Sequence, residues 1–439
     1  MKILLVCPPY NFQGYTPTGL ACLAGVAEQT KHEVQICDLN VERLPSSDFD
    51  LYGITGLSLW RKSIIQTAHL IKQRSKNPII VGGAWATLQP KDAVSTPSID
   101  YACIREGEWV FEEFLEKYPH VENIRGIATK NNLNEPASYI RDLDGLPFPA
   151  WHLINFQKYE RVSIDTSRGC PFHCIFCAVH QFEGKRWRFR SVESILEEIQ
   201  LLVHKFKVKH ITFGDSNLTF EMERFEQICD EIINRKIKTE FDVVQGVRAD
   251  KLNARLLEKM KKAGFTEIII APESGSQRVL DEVIDKRLDL ATVVPVVEKC
   301  KELNLRCGAF FVIGFPWETL DEIGQTIAFA DKLRMLGCSC YVGNALPLVG
   351  TRLYYQARAE GYLRFDGEKL EEIIHYLGLP RRVHCLTSPY WKPDEIIKIC
   401  KREDKKNYRS IYRSYGFSKI TSKFIRHPIR SIRRALRVI

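Results

Sequence analysis

The chain has 439 residues, 45% of them hydrophobic and 27% charged. That composition excludes a wholly disordered or collagen-like chain and supplies enough apolar material for two or three domains. No apolar run approaches the roughly 18–20 residues that a membrane span needs, and the net charge of +9 is concentrated in residues 401–439.

In chain order, residues 2–7, 34–38, 51–57, 78–81 and 101–104 are short apolar runs that read as strands buried on both faces. Residues 18–29, 62–75 and 109–117 carry helical apolar spacing between them. The first run is broken by Pro8 and Pro9, too early for the core of a signal peptide, so a cytoplasmic chain is expected. Fourteen cysteines are then expected as reduced thiols, with Cys22, Cys37, Cys103, Cys229, Cys300 and Cys400 as small core residues. The alternation predicts an α/β, doubly wound, Rossmann-like domain over residues 1–120, with any ligand at the carboxyl ends of its strands.

Residues 121–160 hold one strand candidate at 124–128 and then Leu146-Pro147-Phe148-Pro149, whose prolines fix an extended linker. A second alternation follows. Strands are expected at 162–166, 210–213, 241–247, 267–271, 306–313 and 339–346. Helices are expected at 192–206, 224–235, 253–263, 291–303 and 320–336. Six β-α units predict a partial (β/α)6 TIM barrel over 161–357, followed by a mainly helical C-terminal extension over 358–439.

The first strand of this second series leads into Cys170-Pro171-Phe172-His173-Cys174-Ile175-Phe176-Cys177. Three cysteines separated by three and two residues can wrap three corners of a cubane iron–sulfur cluster, leaving the fourth iron open. A zinc knuckle is the alternative. It needs a fourth ligand, which His173 or His180 could supply, and usually pairs its cysteines two residues apart.

With the preceding Ser167-Arg168-Gly169, this segment resembles the signature of radical S-adenosylmethionine (SAM) enzymes. The resemblance implies Cys170, Cys174 and Cys177 as ligands of a [4Fe-4S] cluster, with Phe176 near the SAM adenine. It extends strand by strand through Phe213-Gly214-Asp215, Gln245-Gly246-Val247-Arg248, Ala271-Pro272-Glu273-Ser274-Gly275-Ser276, Phe311-Val312-Ile313-Gly314 and Leu346-Pro347. Asp215, Arg248, Glu273, Ser274 and Gly314 are thereby implied as SAM contacts. Read as isolated residues, Asp215 could equally cap a helix and Arg248 could equally make a surface ion pair. Ala271-Pro272 stands where the family commonly has glycine, and Val349 replaces a proline.

The first 120 residues resemble the cobalamin-binding domain fused to one large class of these enzymes. Cys7-Pro8-Pro9, Pro17-Thr18-Gly19-Leu20, Val81-Gly82-Gly83 and Glu106-Gly107-Glu108 carry the likeness. It implies Pro9, Tyr10, Gly19, Leu20, Thr55, Ser58, Gly82, Gly83, Thr87, Glu106, Gly107 and Glu108 as cobalamin contacts. The loop after the first strand holds no histidine, and Trp85 stands where relatives often have one. The resemblance therefore implies no protein imidazole below the cobalt.

The tail alternates Ile425, Ile429, Ile432, Leu436 and Ile439 with Arg426, Arg430, Arg433, Arg434 and Arg437. This pattern suits a basic amphipathic helix on the inner membrane surface, or a terminal helix with a solvated basic face. Nucleic acid is disfavoured, because no RNA-binding module is recognisable. The implied function is a cobalamin-dependent radical SAM methyltransferase acting on an unactivated carbon of a small-molecule or lipid-like substrate. It would use a one-electron donor of flavodoxin or ferredoxin type. One SAM would methylate cobalamin, a second would generate the 5′-deoxyadenosyl radical, and the substrate radical would take the methyl. Family members that cyclise, oxidise or rearrange share every motif and form the first alternative. A non-catalytic cobalamin or iron–sulfur sensor is the second.

Overall fold

The computed structural model describes residues 1–10, 14–366, 370 and 383–407. The tail helix, Tyr408 onward, and His375 lie outside the described residues. Two six-stranded sheets organise the chain. In the first, β1 (Lys2–Cys7) lies between β2 (Glu33–Asp38) and β3 (Leu51–Thr55). Beyond β3 come β4 (Ile79–Gly82), β5 (Tyr101–Cys103) and β6 (Ile127–Thr129). All neighbours are parallel except β6, which runs antiparallel to β5 and closes the edge.

The continuous apolar run of β1 has a direct cause. Ile3 and Leu5 enter the core under α1 (Thr18–Gln29), whereas Leu4 and Val6 enter the core under α2 (Arg61–Lys72). A strand covered on both faces has no polar side to show. The order reverses at β1, so the carboxyl ends of β1 and β3 flank a crevice. Two short helices there, α3 (Ala84–Leu88) and α4 (Pro90–Ser95), were not signalled, since five or six residues are too few to display a period.

A packed segment joins the sheets. Ala150 donates its amide to the Ala21 carbonyl at 2.8 Å, and the Trp151 indole donates to Glu198 at 2.9 Å from full burial. One apolar core consequently runs from Ile3 past Trp151 to Phe213.

The second sheet is open and wholly parallel. It starts at β7 (Val162–Ile164). A small β8 (Ser167–Arg168) and β9 (Arg188–Phe189) hairpin then precedes β10 (His210–Phe213) and β11 (Glu240–Val247). Next come β12 (Phe265–Glu273), β13 (Arg306–Ile313) and β14 (Ser339–Asn344). Its helices are α7 (Val192–Gln200), α8 (Met222–Asn234), α9 (Ala254–Ala263), α10 (Val293–Glu302), α11 (Leu320–Met335) and α12 (Arg352–Ala359). Local chemistry sets their ends. The Asn253 side chain accepts from the Leu256 amide at 2.8 Å, and Gly264 at φ +103° stops α9. Thr319 and Glu322 form a reciprocal capping box on α11. Pro272 is accommodated within β12 because the register with β13 shifts between Ile270 and Glu273. No described helix is long and apolar enough to cross a membrane.

Candidate cluster and cofactor site

The cysteine loop leaves β8 at the carboxyl end of the second sheet's first strand. Gly169 turns it, at φ +87°, where an added Cβ would stand 2.3 Å from the Arg186 carbonyl oxygen. The Gly169 amide donates to Glu183 at 2.9 Å, and Ser216 donates to the other oxygen of that carboxylate at 2.9 Å. Further along, the Ile175 amide donates to Ile284 O at 2.8 Å and the Leu353 amide donates to Ile175 O at 2.9 Å. The loop is thus stitched to three separate parts of the barrel. A short helix, α6 (Val179–Phe182), follows the loop and rests on α3 of the first sheet.

Cys170, Cys174 and Cys177 are free and partly buried. Burial pushes all three thiols up, Cys177 to about 12, while the Lys286 ammonium pulls each of them down. Thiols in this state keep their protons until a cation displaces them. Among the described residues, no group of three or more His, Cys, Asp or Glu side chains converges on a point where one ion could sit. Three thiolates spread along one loop fit a multi-iron cluster, in which each binds a different iron, better than a zinc ion with four converging ligands.

The residues implied as SAM contacts surround this loop in different ways. Phe176 lies 6.1 Å from the Phe315 ring, next to Gly314. Gly314 adopts φ +82°; its amide donates to Glu318 at 2.7 Å and its carbonyl accepts from His384 Nε2 at 3.0 Å. Arg248 places its guanidinium 3.8 Å from the Phe172 ring centroid and bonds both oxygens of Asp250. Glu273, at φ +71°, accepts from the buried Lys286 ammonium at 3.2 Å. Asp215 and Ser274 also bind within the barrel. The Asp215 carboxylate accepts from the Thr166 amide, the Thr166 hydroxyl at 2.7 Å and the Ser167 hydroxyl at 2.5 Å, pinning the root of the loop. The Ser274 hydroxyl meets Thr326 at 3.1 Å and accepts from the Ser276 amide, tying β12 to α11.

On the first sheet, Thr55, Gly82 and Gly83 cluster at the crevice. Gly83 has φ +88°, and an added Cβ there would lie 2.8 Å from Gly56 O and 3.0 Å from Thr55 Oγ1. Ser58 begins a single helical turn beside them, its hydroxyl buried and without a hydrogen-bond partner among the described residues. Tyr10, just after Pro9, stacks on Trp60 at 3.8 Å and donates its amide to Asn40 Oδ1 at 2.8 Å. Gly19 and Leu20 open α1, where a Cβ on Gly19 would meet nothing within 4 Å. Trp85 is fully buried and donates to Asp92 at 3.0 Å. Thr87 accepts the Arg105 amide at 2.8 Å. The acids flanking Gly107 reach the β8–β9 hairpin. Glu106 pairs with Arg188 at 2.7 Å and Arg168 at 3.3 Å, and Glu108 pairs with Arg168 at 2.5 Å. Arg168 holds the buried Glu108 carboxyl below its usual range, against desolvation that would raise it.

Lys286, Glu183, Arg168 and Arg188 stand around the cysteine loop and its root, and sequence reasoning did not single them out. Lys286 and Glu183 lie outside the matched motifs, and no periodicity marks them. Arg168 was quoted only as a neighbour of the first cysteine. Asp165 was missed as well. It lines a small cavity between the sheets with Thr18, Cys22, Phe148 and Arg168, where burial and then Asp215 push its carboxyl up to about 7.

Comparison with known proteins agrees with this arrangement. The radical SAM superfamily pattern matches residues 164–330, and the B12 binding domain pattern matches residues 11–115. The chain is 33% identical over 393 residues to an uncharacterized methyltransferase of Pyrococcus horikoshii, covering 83% of this chain and 84% of that one. It is 25% identical to the cytidylyl-2-hydroxyethylphosphonate methyltransferase of Streptomyces wedmorensis, over 79% and 78% of the two chains. Among solved structures, it superposes on OxsB, a cobalamin-dependent S-adenosylmethionine radical enzyme with aqua-cobalamin and SAM bound, at a TM-score of 0.77. Identity there is 18%, with 98% of this chain and 72% of that one covered. The chain belongs to the radical SAM enzymes that carry an N-terminal cobalamin-binding domain, the cobalamin-dependent radical SAM methyltransferase family.

Proposed function

We propose that this radical SAM enzyme methylates an unactivated carbon of a small organic substrate, using a [4Fe-4S] cluster, SAM and cobalamin. The observation that carries the reading is the placement of the three-thiol loop. It sits at the carboxyl end of an open barrel, with its root bonded by Arg168 to Glu106 and Glu108 of the crevice-bearing sheet. When bound, the cluster and SAM supply hydrogen-atom abstraction, and cobalamin supplies a methyl group. Cys170, Cys174 and Cys177 would hold the cluster. Arg248, stacked on Phe172, and Lys286, beside Glu273, place positive charge against the loop, which favours an anionic cluster and a ligand carboxylate. Gly82, where an added Cβ would meet only Cys103 Cβ at 4.0 Å, leaves room at the crevice, and the Ser58 hydroxyl, unpartnered among the described residues, offers a hydrogen-bonding group to a bulky cofactor. We assign residues 1–120 to the cobalamin unit, 121–160 to the connection and 161–357 to the barrel.

Anaerobic purification after growth with cobalamin tests this directly. About four iron and one cobalt per chain are expected. Turnover should release S-adenosylhomocysteine together with 5′-deoxyadenosine. Iron without cobalt after reconstitution, or 5′-deoxyadenosine without S-adenosylhomocysteine, would replace methyl transfer by oxidation or rearrangement.

A further inference from the structure

A chain of aromatic rings leads from the surface to the cysteine loop. Phe189, on β9, is 48% exposed. Its ring lies 5.0 Å from Trp187, Trp187 lies 5.3 Å from Phe220, and Phe220 lies 6.0 Å from Phe172, between Cys170 and Cys174. Each link is a packed aromatic contact. Cations cover the chain along its length. Arg224 lies over Phe189 and Trp187, Lys251 over Phe220, and Arg248 over Phe172 at 3.8 Å. Most surface aromatics serve packing, but this series is continuous and ends on the proposed cluster ligands. At the outer end, Lys185 and Arg186 are exposed and make no ion pair among the described residues. The exposed acids Glu221 and Glu223 line the cleft on the other side of Phe189 and repel an acidic partner there, which leaves the Lys185–Arg186 side as the one that attracts it.

We propose that the Lys185, Arg186, Trp187 and Phe189 surface docks the protein that reduces the cluster, an acidic carrier of a one-electron redox group, and that the Trp187–Phe220–Phe172 rings bridge it to the cluster. The inference rests on the cluster reading above. One electron leaves the reduced carrier and enters the oxidised cluster. No bond forms or breaks, and the rings are a close-packed medium that is not itself oxidised. Electron transfer weakens steeply with distance, so a donor gains most by docking where packed side chains reach the cluster loop from the surface. The two free cations would steer an acidic partner there.

The test uses the full chain with reconstituted cluster and an acidic flavodoxin in its hydroquinone state as donor. The rate of cluster bleaching is followed by stopped flow, with dithionite as a donor that needs no docking surface. In a double variant, Lys185→Glu with Arg186→Glu, flavodoxin-driven reduction should fall at least about tenfold and lose its salt dependence. Iron content and dithionite reduction should stay unchanged. Phe189→Ser should slow the flavodoxin reaction alone, separating apolar contact from charge. An unchanged flavodoxin rate in the charge-reversed chain overturns the docking surface. A parallel loss of dithionite reduction or of iron also overturns it, because these residues would then serve the loop itself. A wild-type chain that assembles no four-iron cluster overturns the cluster reading as well.

Discussion

Gly169 shows how narrow the tolerance is at one residue. Its positive φ and the 2.3 Å approach of the Arg186 carbonyl to any Cβ leave no space for a side chain. Gly169→Ala should cost roughly 1–3 kcal/mol of local strain. We expect its iron content after reconstitution to fall below half that of the wild type; full iron would show that the turn relaxes freely. Glu318 gives a pH-dependent case. Burial pushes its carboxyl from an ordinary 4.5 to about 8, although the Gly314 and Phe315 amides bond one oxygen. The folded site refuses the charge that the unfolded chain accepts, so stability is lost as pH rises from about 4.5 to 8. Glu318→Gln should therefore melt increasingly above the wild type between pH 5 and 8. A melting difference that stays flat across that window would show that Glu318 ionises normally.

Between elements, the decisive contact is the ion-pair group joining β8 and β9 to the loop before α5 (Glu108–Lys117). Arg168, Glu106, Glu108 and Arg188 have side chains at most 17% exposed. Removing one partner from such a group leaves a buried charge uncompensated, which costs about 3–5 kcal/mol. Arg168→Gln and Glu108→Gln should each destabilise the chain by about that much, and the double variant by clearly less than the sum. Chemical unfolding of the four chains in the cycle measures the coupling. Strict additivity would mean that the two side chains do not depend on each other. These residues are 60 and 62 positions apart from their partners, so the pairing left no local trace in the sequence.

At the scale of the whole molecule, two sheets share one core, yet each carries its own candidate cofactor face. The two loadings should separate by mutation. Gly83→Val would drive a side chain onto the Gly56 carbonyl oxygen at φ +88° and deform the first sheet's crevice, and we expect cobalt to be lost while about four iron remain. Cys174→Ala should do the reverse, losing iron while cobalt is retained. Loss of both metals in either variant would mean that the sites fold as one unit. His384 extends the connectivity further. It is buried on Gly314 and Asn344, with its ring centroid 4.9 Å from that of Trp391 at a tilted angle, bringing the chain after the barrel back onto its fifth strand.

By itself the sequence determined the strands of the two six-stranded sheets, though not the β8–β9 hairpin, together with most helices and the three-cysteine loop. Those features are written in contiguous residues: buried strands are apolar throughout, helices repeat with their turn, and the thiols must lie close along the chain to wrap one cluster. Tertiary structure alone decided which partners the buried polar and charged residues take. Asp215 binds Thr166 and Ser167, Ser274 binds Thr326, and Glu106 and Glu108 bind arginines of the β8–β9 hairpin. A carboxylate carries no mark of its partner. Burial makes the partner obligatory, and only the packing of distant segments chooses which one it is.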